Sequence, residues 1–128
     1  MANKLTREQI AERLQNTNAW ITTSRTALMS AVSASKIRYV ISIVLNGDVT
    51  TSRLVDIDKL NPDGSYTAKF PGIPVAPTER VVVPEGWHED IENPSQTLEG
   101  SANLYGKITG AVTGTSISAT TTYYDNDV

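Results

Sequence analysis

The chain has no cysteine and a single histidine among its 128 residues. Without thiols there is neither a disulfide framework nor a thiolate site, so the redox compartment stays open. A basic excess is also missing. The net charge of −3 gives no footprint for a polyphosphate partner, which argues against nucleic acid. Long apolar runs are absent too. The longest, residues 39–45, is interrupted by Ser42 and is far too short to span a bilayer, so no membrane partner is expected. The opening MANKLTREQ has charge but no apolar run behind it, and no signal peptide or transmembrane segment is expected. What remains is a chain of one domain, residues 1–128, able to bury roughly two-thirds of its unfolded surface.

The front of the chain carries helical signals. Thr6 can cap, Gln9 stands at the reciprocal capping-box position, and Leu5 and Ile10 have the spacing of a hydrophobic staple. Ile10, Leu14, Ile21, Leu28 and Val32 then recur at intervals of four and seven, and no proline or glycine intervenes before Gly47. A single helix over residues 7–35 would be about 43 Å long, longer than the ~36 Å diameter of a domain of this size. Either the segment breaks at Asn16-Thr17-Asn18 into two helices on one core, or it projects as an arm whose stripe another chain buries. The small residues Ala27, Ser30, Ala31, Ser33 and Ala34 would allow a second backbone to approach, with Trp20 as an apolar anchor.

After Ser35 the period becomes two. Ile37, Tyr39, Ile41, Ile43 and Leu45 share one strand face and Val40 and Val44 the other, so this strand is buried on both sides. Asn46-Gly47-Asp48 reads as a hairpin loop that sets Leu45 against Val49, Tyr39 against Val55 and Ile37 against Ile57. Asn61-Pro62-Asp63-Gly64 reads as a second hairpin, with residues 65–70 returning as a third strand. Pro71, Pro74, Pro77, Pro84 and Pro94 punctuate an extended strap in which only residues 79–83 can form a strand, at an edge. From Thr97 alternation resumes. Ile117, Ala119, Thr121 and Tyr123 share a face, but residues 110–122 are so small and polar that another subunit would be needed to fix their register. The expected fold is therefore α+β. A long N-terminal helix, or two shorter helices, occupies residues 6–35, with an antiparallel hairpin meander over 36–70, a proline-rich strap over 71–96, and a Ser/Thr/Gly-rich β segment over 97–128.

Two stretches could hold chemistry. GSANLYGKIT, residues 100–109, has the look of a phosphate loop, but Gly100 and Gly106 enclose five residues where a Walker A loop has four, and Ile108 stands where the magnesium-binding hydroxyl is required. No cofactor is expected. His88, with Glu85, Glu89, Asp90 and Glu92 around it, could in principle hold an ion or form an acid–base pair. Further His or Cys ligands are lacking, and the spaced calcium-loop pattern is not present. A solvated acidic loop pinned by Trp87 accounts for the same residues, and no catalytic residue or metal ligand is assigned. The terminal pair Tyr123 and Tyr124, beside carboxylates, could stack on a sugar ring or could simply close a sheet.

The succession of a helical segment over residues 5–35, a compact hairpin core, a proline-punctuated strap over 71–94 and a Ser/Thr/Gly-rich tail resembles small phage and viral virion proteins, such as capsid decoration, cement and head–tail components. The resemblance implies a non-enzymatic subunit located in a virion, forming a trimer or ring with itself and contacting other shell subunits. On that reading the interface residues are Ile10, Leu14, Trp20, Ile21, Leu28, Val32 and Trp87. The alternative is a small soluble, cytoplasmic binding module whose Tyr123, Tyr124 and Trp87 form a ligand surface suited to carbohydrate.

Overall fold

A computed structural model of the chain describes residues 5–47, 51–84, 94–109 and 117–127. The helical signals at the front are real but short-range. Thr6 caps α1, Arg7–Arg13, through a full capping box in which the Thr6 side chain accepts from the Gln9 backbone amide and the Gln9 side chain accepts from the Thr6 backbone N–H. The helix ends at Leu14. The chain then forms strand β1, Gln15–Ile21, and a two-residue strand β2, Thr26–Ala27. The expected long or paired helix over residues 6–35 is thus corrected, and with it the α+β class: the fold is mostly β. Asn16, Thr17 and Asn18 bond poorly within a helix, and a strand lets their side chains reach partners on the neighbouring strand instead. The four- and seven-residue spacing that mimicked one stripe runs through α1, β1 and the segment after β2.

The remaining strands are β3, Lys36–Asn46; β4, Arg53–Leu60; β5, Tyr66–Val75; β6, Arg80–Val83; β7, Gln96–Leu98; β8, Asn103–Thr109; and β9, Ile117–Asp127. They form two antiparallel sheets. The first runs β1-β9-β3-β6, with β7 also paired to β3, and the second runs β2-β8-β4-β5. The inner faces of the two sheets share one apolar core that includes Ile21, Val40, Ile43 and Leu45 from the first and Val55, Ile57, Leu104 and Ile108 from the second. A bulge between Val40 and Ser42 turns Ile41 to the outer face of the first sheet. There Ile41 and Tyr124 meet Ile10 of α1, with Leu5, Leu14 and Tyr39 packed around them. Strand β3 is therefore covered on both sides, but the single face expected for Ile37, Tyr39, Ile41, Ile43 and Leu45 is corrected: past the bulge Ile43 and Leu45 join Val40 on the inner face, while Tyr39 and Ile41 stay outside.

The expected hairpin pairing of Tyr39 with Val55 and of Ile37 with Ile57 does not form, and Asp48 and Val49 lie outside the described residues. Strands β3 and β4 lie in different sheets, and β3 pairs with β9, β6 and β7 instead. Gly47 has another duty: its amide donates to the carbonyl of Glu79, and a Cβ there would lie 2.1 Å from the carbonyl oxygen of Ala76. The turn between β5 and β6 backs directly onto this glycine. The second hairpin forms at Asn61-Pro62-Asp63-Gly64, with Gly64 at φ +90° and the Asn61 amide donating to the Ser65 carbonyl. It joins β4 to a β5 that continues through Pro71 and Pro74, residues assigned from sequence to the strap. Both prolines are tolerated because β5 is the outer strand of its sheet, and β6 likewise lies at an edge.

One charge is buried at the end of the sandwich. Arg38, 4% exposed, makes a two-pronged contact with Asp125, from Nε to Oδ1 at 2.7 Å and from Nη2 to Oδ2 at 3.0 Å. It also donates to the carbonyl of Ser30 and lies 4.2 Å over the ring of Tyr123. The segment after β2 is held on its other side by backbone bonds from Leu28 to Leu104 and from Val32 to Ala102, and by the Asn103 side chain on the Met29 carbonyl. Replacing Gly47 with alanine forces a methyl group into the Ala76 carbonyl, and we expect a loss of about 1–3 kcal/mol. Urea unfolding would show this as a lowered midpoint with an unchanged slope.

Candidate functional site: an open strand edge and an exposed aromatic face

Strand β1 lies at the edge of the first sheet and, among the described residues, is paired on one side only, to β9. Its outward side chains form a polar ladder with that neighbour. Thr122 Oγ1 donates to Asn16 Oδ1 at 2.7 Å and Thr120 Oγ1 donates to Asn18 Oδ1 at 3.0 Å. Trp20, next in the row and opposite Ser118, is 62% exposed. A tryptophan this open on an uncharged edge strand buries little of its apolar area within the chain.

The outer face of the second sheet carries the other exposed apolar groups, Leu54 at 49% and Tyr66 at 42%. Tyr66 meets Tyr105 edge to face at 5.7 Å, and Arg25 lies 3.8 Å over the Tyr66 ring while bonding Asp58 at 3.0 Å. These four side chains fix one another through ring and charge contacts, leaving Leu54 as an apolar neighbour on the same strand as Asp58. At the β5 edge, Lys69, Phe70, Pro71, Gly72, Ile73, Pro74, Val83 and Pro84 line a groove of about 280 Å³, at the small end of ligand cavities.

The residues singled out from sequence divide sharply. Ile21, Leu28 and Val32 lie in the core between the sheets, Ile10 is buried against the outer face of the first sheet, and Leu14 packs at that cluster's rim. The chain itself covers the stripe assigned to a partner. Trp20 alone of that set stands open among the described residues. Tyr123 and Tyr124 are 5% and 6% exposed. Tyr123 lies under Arg38, with its hydroxyl near Gln15 and Thr17, and Tyr124 stacks on Tyr39 at 5.0 Å, so neither presents a ring to a sugar. Trp87 and His88 lie outside the described residues. Among the described residues no group of three or more metal-ligating side chains converges. The would-be phosphate loop is a turn leading into β8, where Lys107 stands in register with Asp56.

Sequence reasoning missed Arg25, Leu54, Tyr66 and Tyr105. The one available signal was in β4, where Leu54 alternates out of phase with Val55 and Ile57 and so had to face outward.

The shifted titrations belong to the scaffold. Lys59 holds the Glu99 carboxyl below its ordinary value, chiefly by hydrogen bonding, and Lys36 does the same for Asp127. The Ser65 side chain lowers Asp63 in the β4–β5 turn. Burial, with Tyr39 nearby, raises the Tyr124 phenol.

No family model matches the chain, and no curated protein matches it. Among solved structures it is similar to a chain of infectious bursal disease virus, Gt strain, at 12% identity and a TM-score of 0.44, over 89% of this chain and 30% of that one. A likeness at that level carries no statement about binding or activity. No described helix is long and apolar enough to cross a membrane.

A lowered carboxyl stabilises the fold above the ordinary carboxylate range and loses that contribution as pH falls through its native value. Glu99→Gln should therefore flatten the fall in melting temperature between about pH 5 and pH 3. The opposite sign applies to Tyr124. Its contribution is complete below the ordinary phenol value and is lost as pH rises through the raised one, so ultraviolet titration should show one tyrosine ionising later in the wild type than in Tyr124→Phe.

Proposed function

We propose that the chain is a non-enzymatic structural subunit, of the kind that builds a virion, associating with copies of itself and with other shell subunits. The observation that carries this reading is the placement of the exposed large apolar side chains. Trp20 stands on the outer side of one sheet, and Leu54 and Tyr66 stand on the outer side of the other. A subunit that ties neighbours together needs at least two separate contact surfaces, whereas a module serving one ligand needs one concave site. The virion setting rests on the style of construction alone. The helical arm and the first hairpin of the expected meander have dropped out of that resemblance, and the Asn61–Gly64 hairpin and the Ser/Thr-rich last strand remain in it. The carbohydrate-binding alternative depended on open Tyr123 and Tyr124 rings, and no other observation favours it.

Light scattering over a hundredfold dilution tests the reading. The expected result is a mass above that of one chain at high concentration, reduced by Trp20→Ser and, independently, by Leu54→Ser. A single-chain mass throughout, unmoved by either substitution, would contradict self-association.

A further inference from the structure

Strand edges are usually blunted by charge, proline or brevity, because an open edge pairs with other chains. In this sandwich the edges are treated unequally. Strand β5 carries Lys69, Pro71 and Pro74, β6 and β7 are short, and β2 has two residues. Strand β1, Gln-Asn-Thr-Asn-Ala-Trp-Ile, has no charge, no proline and no bulge in its pairing with β9.

The side chains of β1 also indicate what it pairs with. Asn16 and Asn18 both turn Oδ1 toward the β9 threonines, which leaves each Nδ2 as a donor on the open side with no acceptor among the described residues. Two such strands cannot meet with Asn18 opposite Asn18, since that sets donor against donor. Shifting the two-fold axis by one residue to Ala19 keeps inner and outer faces aligned and resolves the conflict. Asn18 then lies opposite the partner's Trp20, the last outward-facing residue of the strand. Each Asn18 amide meets an indole face, and both tryptophans are covered. No like charges oppose one another anywhere along the strand. The small Ala19 on the axis lets the backbones reach ladder spacing.

We infer that β1 is a self-pairing edge: two copies of this chain join their first sheets antiparallel about Ala19, making one continuous sheet across the dimer. The inference rests on the assembly reading above and names one of its contacts. A two-fold contact of this kind leaves the outer face of the second sheet, with Leu54 and Tyr66, free to join such dimers into something larger.

The absence of native cysteine makes the test direct. Residues on the axis of an antiparallel pair have Cα atoms about 4.5–5.5 Å apart, within disulfide range, whereas positions one step along are diagonal and farther. Single-cysteine chains would be made as Ala19→Cys, Asn18→Cys and, on the second sheet, Lys107→Cys, and oxidised under one set of conditions. The wild-type mass would be followed in parallel. We expect Ala19→Cys to form a covalent dimer at least about tenfold faster than the other two, and Trp20→Lys added to it to abolish that advantage. Equal rates at positions 19 and 107 in a chain whose wild type self-associates would overturn the β1 contact while leaving the assembly reading standing. A wild-type monomer at every concentration, with no preference for Ala19→Cys, would overturn both. Folding of each variant is checked by its cooperative melt, and Ala19→Ser serves as the control for the substitution itself.

Discussion

Strand β9 is paired on both sides, to β1 from Gln15–Tyr123 to Ile21–Ile117 and to β3 from Lys36–Asp127 to Asn46–Ser118. The rest of the sandwich is arranged around that double pairing. The inner residues of β9 (Ile117, Ala119, Thr121 and Tyr123) form part of the central core, while Tyr124 on the other face receives α1. Asp125 holds Arg38, and Arg38 holds the carbonyl of Ser30, so the segment between β2 and β3 is tied to the same strand. A buried guanidinium left without its carboxylate costs about 3–5 kcal/mol, which makes this end of β9 the least forgiving part of the molecule. The partners of β9 lie roughly 70 to 110 residues away in sequence, and their loops must close before any of these contacts reward the chain.

That dependence explains what was legible beforehand. Features decided within a few residues were readable: the Thr6–Gln9 capping box, the Asn61–Gly64 turn, the two buried faces of β3, and the alternation in β9. Features decided by distant partners were not. Seven residues of genuine helix led into a segment whose apolar spacing fitted a longer one, and it is the pairing with β9 that makes β1 a strand. Asn46-Gly47 has the composition of a tight hairpin, yet the glycine serves close approach of the Ala76 carbonyl across the sandwich. The weak, polar look of residues 110–122 suggested a missing subunit. For the described part of that stretch, from Ile117 onward, the chain supplies both neighbours itself, and the asparagines of β1 complete the hydroxyl ladder.

The same accounting shifts the functional surface. Most side chains assigned to a partner are used in the chain's own core, which leaves Trp20 from that set and adds Leu54 and Tyr66 from the second sheet. Among the described residues, the carboxylates with lowered titrations are engaged in surface pairs and a turn that hold the scaffold. Open apolar side chains on opposite sides of a rigid sandwich suit a part that is placed between neighbours. The β1 edge, paired on one side only among the described residues, has none of the charge, proline or bulge that usually blunts such an edge.

Hydrogen exchange resolved by residue tests the central role of β9 most directly. If β9 organises the sandwich, its amides and those of β3 exchange only through global unfolding, with protection equal to the stability measured in urea, while α1 and β2 open at lower free energy. Exchange of β9 by local opening, with β4, β5 and β8 still fully protected, would contradict the account.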